Sequence, residues 1–103
     1  MEDKNWQIII EDFAKDDLQE IYDWYELEQK NLGELFLDDF EDCLIKIKRN
    51  PFYTNKINER TRGARLKNFP YQIVYIVDVE RYRINVIVIT HQHRKPNWYK
   101  DRK

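Results

Sequence analysis

The chain of 103 residues has one cysteine, two glycines, three prolines and two histidines. A single thiol, Cys43, excludes an internal disulfide and with it the stapled secreted scaffolds. Two glycines are too few for a Gly-rich phosphate loop. There are no repeats, no low-complexity tract and no linker, and no apolar run approaches the roughly 20 residues that span a bilayer. The N-terminal MEDKNWQIII carries acids and lacks a basic n-region, so we expect no secretory signal and a cytoplasmic location. Hydrophobic residues make up 42% of the chain and aromatics 15%. That is enough for one modest core, and we expect a single domain over residues 1–103.

The near-zero net charge conceals an asymmetry. Residues 1–50 hold 15 acidic side chains against 6 basic, a net of −9, while residues 51–103 hold 4 against 12, a net of +8. Folded onto different faces, the halves make an electrical dipole, and the second half points toward an anionic partner, nucleic acid or an acidic protein. Two solvated faces of different sign are the plainer alternative.

NWQIII (5–10) reads as a short strand. Asp12 then caps a helix, with Asp16 and Asp17 near its positive end and Leu18, Ile21, Tyr22 and Tyr25 on one face. After a break at KNLGEL, Asn31 and Glu34 have the spacing of a capping box for a second helix. Its stripe is Phe36, Phe40, Cys43, Leu44 and Ile47, and Asn50-Pro51 ends it. So short a connection predicts an antiparallel helical hairpin. Beyond Pro51 the period becomes strand-like: INERTRGARL (57–66), YQIVYIVD (71–78) and YRINVIVIT (82–90), the last two joined by the turn DVER. The expected fold class is α+β, in the order β-α-α-β-β-β, with the helical hairpin packed on one face of a largely antiparallel four-stranded sheet. The nearly all-apolar last strand belongs in the sheet interior beside its hairpin partner, and the other sheet face stays open for function.

Two stretches carry candidate chemistry. Arg60, Arg62, Arg65 and Lys67 put four cations within eight residues. Alternation in an extended chain sets Arg60 and Arg62 on one face and Arg65 and Lys67 on the other, unless the strand bulges at Gly63. They are candidates for phosphate or partner contact, or an edge strand protected by charge. The end of the last strand then delivers His91, His93 and Arg94, candidates for proton transfer and for stabilising charge on a phosphorus centre. Trp98 and Tyr99 are of the type that stacks on bases, although for Trp98 folding back over the core is the preferred reading. No carboxylate or cysteine pair completes a metal site with His91 and His93, and we expect neither metal nor cofactor. Cys43 reads as a small core residue, and Asp38, Asp39, Glu41 and Asp42 as a solvated outer face.

Four stretches in this order, AKDDLQEI (14–21), the helical hairpin, RLKNFPYQIVY (65–75) and HQHRKPNW (91–98), resemble the RelE/ParE superfamily, the toxins of bacterial type II toxin–antitoxin pairs. The resemblance spans about residues 6–102. It implies a growth inhibitor silenced by a cognate antitoxin, whose C-terminal segment covers the sheet or the hairpin. ParE-like members act on DNA gyrase. RelE-like members are ribosome-dependent mRNA endoribonucleases (mRNA interferases), which would make His91, His93 and Arg94 catalytic. RelE-like nucleases usually carry an arginine just before the I-V-Y of the third strand, where this chain has Gln72. Long helices, about 18 residues each by these boundaries, also favour the ParE-like branch. A remnant that only binds antitoxin is the third reading.

Overall fold

The computed structural model describes residues 5–92. It contains β1 (Gln7–Ile10), α1 (Asp12–Glu28), α2 (Leu32–Arg49), β2 (Arg62–Arg65), β3 (Tyr71–Asp78) and β4 (Arg83–His91). The four strands form one sheet in the order β1-β4-β3-β2. Pairing is antiparallel for β2–β3 and β3–β4 and parallel for β1–β4. The expected fold class and the interior place of the last strand are both found.

The helices cover one sheet face. Phe36, Phe40, Cys43 and Ile47 of α2, with Ala14 and Ile21 of α1, meet Ala64, Ile73, Tyr75, Ile84, Val86 and Ile89 of the sheet in one core. Tyr25, Phe36, Phe69 and Tyr71 pack ring against ring at one end, with centroids 4.9–6.3 Å apart. Phe36 is fully enclosed. Truncating such a ring to alanine costs about 3–5 kcal/mol, a large share of what a domain this size has to spare.

Local details depart from the sequence reading. Asp12 is the first residue of α1 rather than its cap. Glu11 holds the cap position, without a side-chain hydrogen bond, because its backbone N–H still belongs to the sheet, bonded to Val86 O at 2.9 Å, and its carboxylate is taken by Asn85. Asn31 does precede α2, but in the left-handed region (φ 74°) and with no side-chain cap. Its backbone N–H and that of Gly33 instead donate to the Glu26 carboxylate of α1, at 3.2 and 2.9 Å. Glu34 faces α1 and accepts a hydrogen bond from the Tyr22 hydroxyl. Glu26 of α1 thus caps the start of α2. Gly33 lets them approach, since a Cβ there would stand 2.7 Å from Tyr22 Cδ1 and 2.8 Å from Tyr22 O.

The strand expected over 57–66 is only Arg62–Arg65. Upstream, the Asn58 side-chain carbonyl accepts from Arg60 N, Thr61 N and Thr61 Oγ1, and Ile57 N bonds Thr61 O. A polar side chain that gathers its own backbone donors makes a turn, not a strand. Gly63 does not bulge either, as β2 pairs with β3 in regular register. The irregularity lies in the β3–β4 pairing, where Ile87 is skipped between Val86 and Val88. Gly63 serves proximity, because a Cβ would meet Gln72 Oε1 at 2.7 Å and Ile57 Cδ1 at 3.0 Å. The second sheet face is not bare, since Val74 and Val88 are buried there.

Candidate functional site

Arg62 and Ala64 share the helix side of β2, and Arg62 is tied into the protein. Its Nη1 donates to Phe52 O at 3.3 Å and to Thr54 O, and the guanidinium lies 5.3 Å from the Phe52 ring centroid. Opposite it in register stands Tyr75, whose buried hydroxyl donates to Pro51 O at 2.8 Å and therefore accepts from Thr54 Oγ1 at 2.7 Å. Burial holds the Tyr75 phenol above its usual range. Arg62 and Tyr75 together fix the segment that follows α2. This arginine completes backbone hydrogen bonding and is poorly placed to seek a ligand.

Arg65 and Lys67 sit differently. Both are exposed and line a groove of about 290 Å³ with Lys46 and Arg49 of α2. The seam beneath is closed by two side chains. Asp39, expected on the solvated outer face, is buried at 4% exposure. Its carboxylate accepts from Asn68 N (2.8 Å), Phe69 N (3.0 Å) and Asn68 Nδ2 (3.2 Å). Helical spacing explains this burial: position 39 lies between 36 and 43 on the inward stripe. Cys43 Sγ lies 3.9 Å from Ala64 O and 3.7 Å from Arg65 O as a weak donor. Burial pushes its thiol up to about 11, opposed by nearby Lys46, so it is no nucleophile at neutral pH. Tyr53 beside it is pushed up to about 12, mainly by burial.

A second groove, about 690 Å³, is lined by Ile76, Asn85 and Ile87 of the sheet, by Glu11, and by Lys56 and Arg60 among others. Its charges are mixed. Asn85 Nδ2 donates to Glu11 Oε2 at 2.7 Å. At its margin Asp78 pairs with Arg81 at 3.1 Å, and that hydrogen bond holds the Asp78 carboxyl below its usual value. The four cations of 60–67 are thus divided between two places: Arg60 and Arg62 at this groove, Arg65 and Lys67 at the α2 seam.

His91 ends β4 opposite Tyr71, with ring centroids 5.5 Å apart. It belongs to the row next to Gln72, and Arg65, Gln72 and Thr90 are successive partners across β2, β3 and β4. His93, Arg94, Trp98 and Tyr99 lie outside the described residues. Among the described residues, no group of three or more His, Cys, Asp or Glu is placed to hold a metal ion, and no helix is long and apolar enough to cross a membrane. The sequence reading missed Lys46 and Arg49 as companions of Arg65 and Lys67. Their only signal was an i, i+3 spacing at the end of α2, where basic residues are ordinary.

The sequence profile of the ParE toxin of type II toxin–antitoxin systems (parDE) matches residues 8–96. The chain belongs to the ParE toxin family. It is a type II toxin of the RelE/ParE superfamily. No curated protein matches it in sequence. Among solved structures, it is similar to a chain of the chromosomal ParDE system of P. aeruginosa, with 16% identity and a TM-score of 0.72 over 84% of this chain and 96% of that one. The intact E. coli RelBE toxin–antitoxin complex gives 15% identity and a TM-score of 0.65 over 86% and 99%. An E. coli RelE variant in complex with a peptide of the antitoxin RelB gives 14% and 0.66 over 97% and 96%. At such identities these likenesses concern the fold. The ParE family to which this chain belongs thus shares its architecture with RelE toxins.

Proposed function

We propose that this ParE-family toxin inhibits DNA gyrase and is neutralised by a cognate antitoxin. The observation that carries the choice of target is the row Arg65–Gln72–Thr90. A cut at a phosphodiester needs an acid or base beside a cation that meets the phosphate. Here the central position is an uncharged amide, and the neighbouring His91 pairs across to Tyr71 in the other alternation of the strand. The family match over residues 8–96 supports the same branch.

An antitoxin partner is supported by the company this fold keeps: solved relatives include toxin–antitoxin complexes. The hairpin offers such a partner the exposed apolar side chains Phe13, Trp24, Leu27 and Leu35, more than a hairpin needs for its own packing. The toxin and its target meet in the cytoplasm.

The test is a supercoiling assay with purified gyrase. Added toxin is expected to abolish supercoiling of relaxed plasmid, and equimolar antitoxin to restore it. Full supercoiling at saturating toxin, together with cleavage of ribosome-bound mRNA, would instead establish the nuclease reading.

A further inference from the structure

We propose that the groove between α2 and the β2 end is a phosphate-binding surface that grips the backbone of duplex DNA. Four cations converge there: Lys46 and Arg49, one helical turn apart on α2, and Arg65 and Lys67 from the strand and the loop after it. None of the four has an ion pair or a side-chain hydrogen bond among the described residues, in a chain that holds 19 acidic side chains. Cations at the end of a helix commonly answer its dipole, and that accounts for Lys46, Lys48 and Arg49. It does not account for Arg65 and Lys67, which come from other elements.

These elements are held together by design of the seam. Asp39 takes three N–H donors from Asn68 and Phe69, which pins the loop carrying Lys67 against α2. Cys43 reaches the carbonyls of Ala64 and Arg65. Asp39 is thereby engaged inside the seam, leaving Asp42 as the other acid of the lining. The groove is rigidly floored, cationic and open to solvent.

Its lining selects among anionic partners. Among the described residues that line it, only Cys43 and Ile45 are apolar and none carries a ring, Tyr53 lying beyond Cys43. A docked peptide needs apolar pockets for its anchors, and a single strand of nucleic acid needs aromatic platforms for its bases. A duplex backbone needs neither. It presents a regular series of phosphates, for which lysine serves as point charge and arginine as a paired donor. The inference is independent of the gyrase reading, since it is tested with DNA alone. A toxin acting on gyrase would use such a surface to hold the DNA that gyrase carries.

The experiment is a salt titration of binding, by fluorescence anisotropy of a short labelled duplex with the full chain. Four phosphate contacts give a slope of about −3.6 in log K against log salt, and Arg65→Ala/Lys67→Ala is expected to reduce its magnitude by about 2 while weakening binding more than tenfold. Lys46→Gln/Arg49→Gln should do the same, and serves if the first pair folds poorly by circular dichroism. Lys15→Ala/Lys30→Ala on the hairpin removes equal charge and should leave the slope unchanged. Absence of wild-type binding at low salt, a slope indifferent to both groove pairs, or equal loss in the hairpin control overturns the proposal. So does tighter binding to single-stranded RNA than to the duplex, or displacement by poly-glutamate at charge concentrations matching those of competitor DNA. A low-salt toxicity or supercoiling defect plays no part in this readout, so its failure and that of the gyrase reading are separable.

Discussion

Arg62 and Arg65 stand three residues apart on one strand, and the protein uses them in opposite ways. Arg62 turns to the helix side, donates to two carbonyls of the segment after α2 and covers the Phe52 ring. Arg65 remains exposed at the mouth of the α2 seam, among cations rather than acceptors. Charge alone does not distinguish them; their partners do. An arginine that satisfies backbone carbonyls stabilises the fold, whereas one held among like charges lowers the cost of binding an anion by waiting unpaired.

The largest effect that would sharpen this contrast comes from the seam itself. Asp39→Ala removes the charged acceptor of three hydrogen bonds from Asn68 and Phe69, and should cost about 2–4 kcal/mol in urea unfolding. A loss under about 1 kcal/mol would mean that the seam does not hold the groove together. Next is the pH dependence of the thiol below it. Its folded value of about 11 lies above the 9.0 of an exposed cysteine, so the stabilisation is complete below about pH 9 and is lost as pH rises toward 11. About 2–3 kcal/mol should disappear across that window. Cys43→Ala should remove the slope between about pH 9 and 10, below the range where the raised Tyr53 contributes, and an unchanged slope there would place the titration elsewhere.

Arg62→Ala should cost about 1–2 kcal/mol through its lost carbonyl bonds, and should leave DNA affinity within twofold once the folded fraction is allowed for. The smallest effect on stability belongs to Arg65→Ala, within about 0.5 kcal/mol of wild type, despite its loss of binding. If Arg65→Ala destabilised the fold as much as Arg62→Ala, the division between them would collapse.

The order of elements was legible because each period is strong: Phe36, Phe40, Cys43 and Ile47 mark one helical face, and YQIVYIVD is the observed β3 residue for residue. Caps were less legible, since Glu26 serves α2 from the other helix, and a local motif cannot reveal a donor's partner seven residues back. Asp39 was misread for a related reason. Among four acids in five positions, only three-dimensional proximity to Asn68 and Phe69 tells a clamp from a solvated charge. Strand alternation did separate Arg62 from Arg65, but Arg60 and Lys67 lie outside β2, and nothing in the chain order joins Arg65 to Arg49. That pairing exists only because α2 lies along the edge of the sheet.

Cells expressing the toxin without its antitoxin provide the most direct measurement of the central claim. Primer extension across abundant mRNAs and recovery of gyrase-linked DNA breaks should be made on the same culture. The account predicts gyrase-linked breaks with intact transcripts, unchanged in His91→Ala. Transcripts cut at codons in the ribosome, lost in His91→Ala and unaccompanied by gyrase-linked breaks, would contradict it.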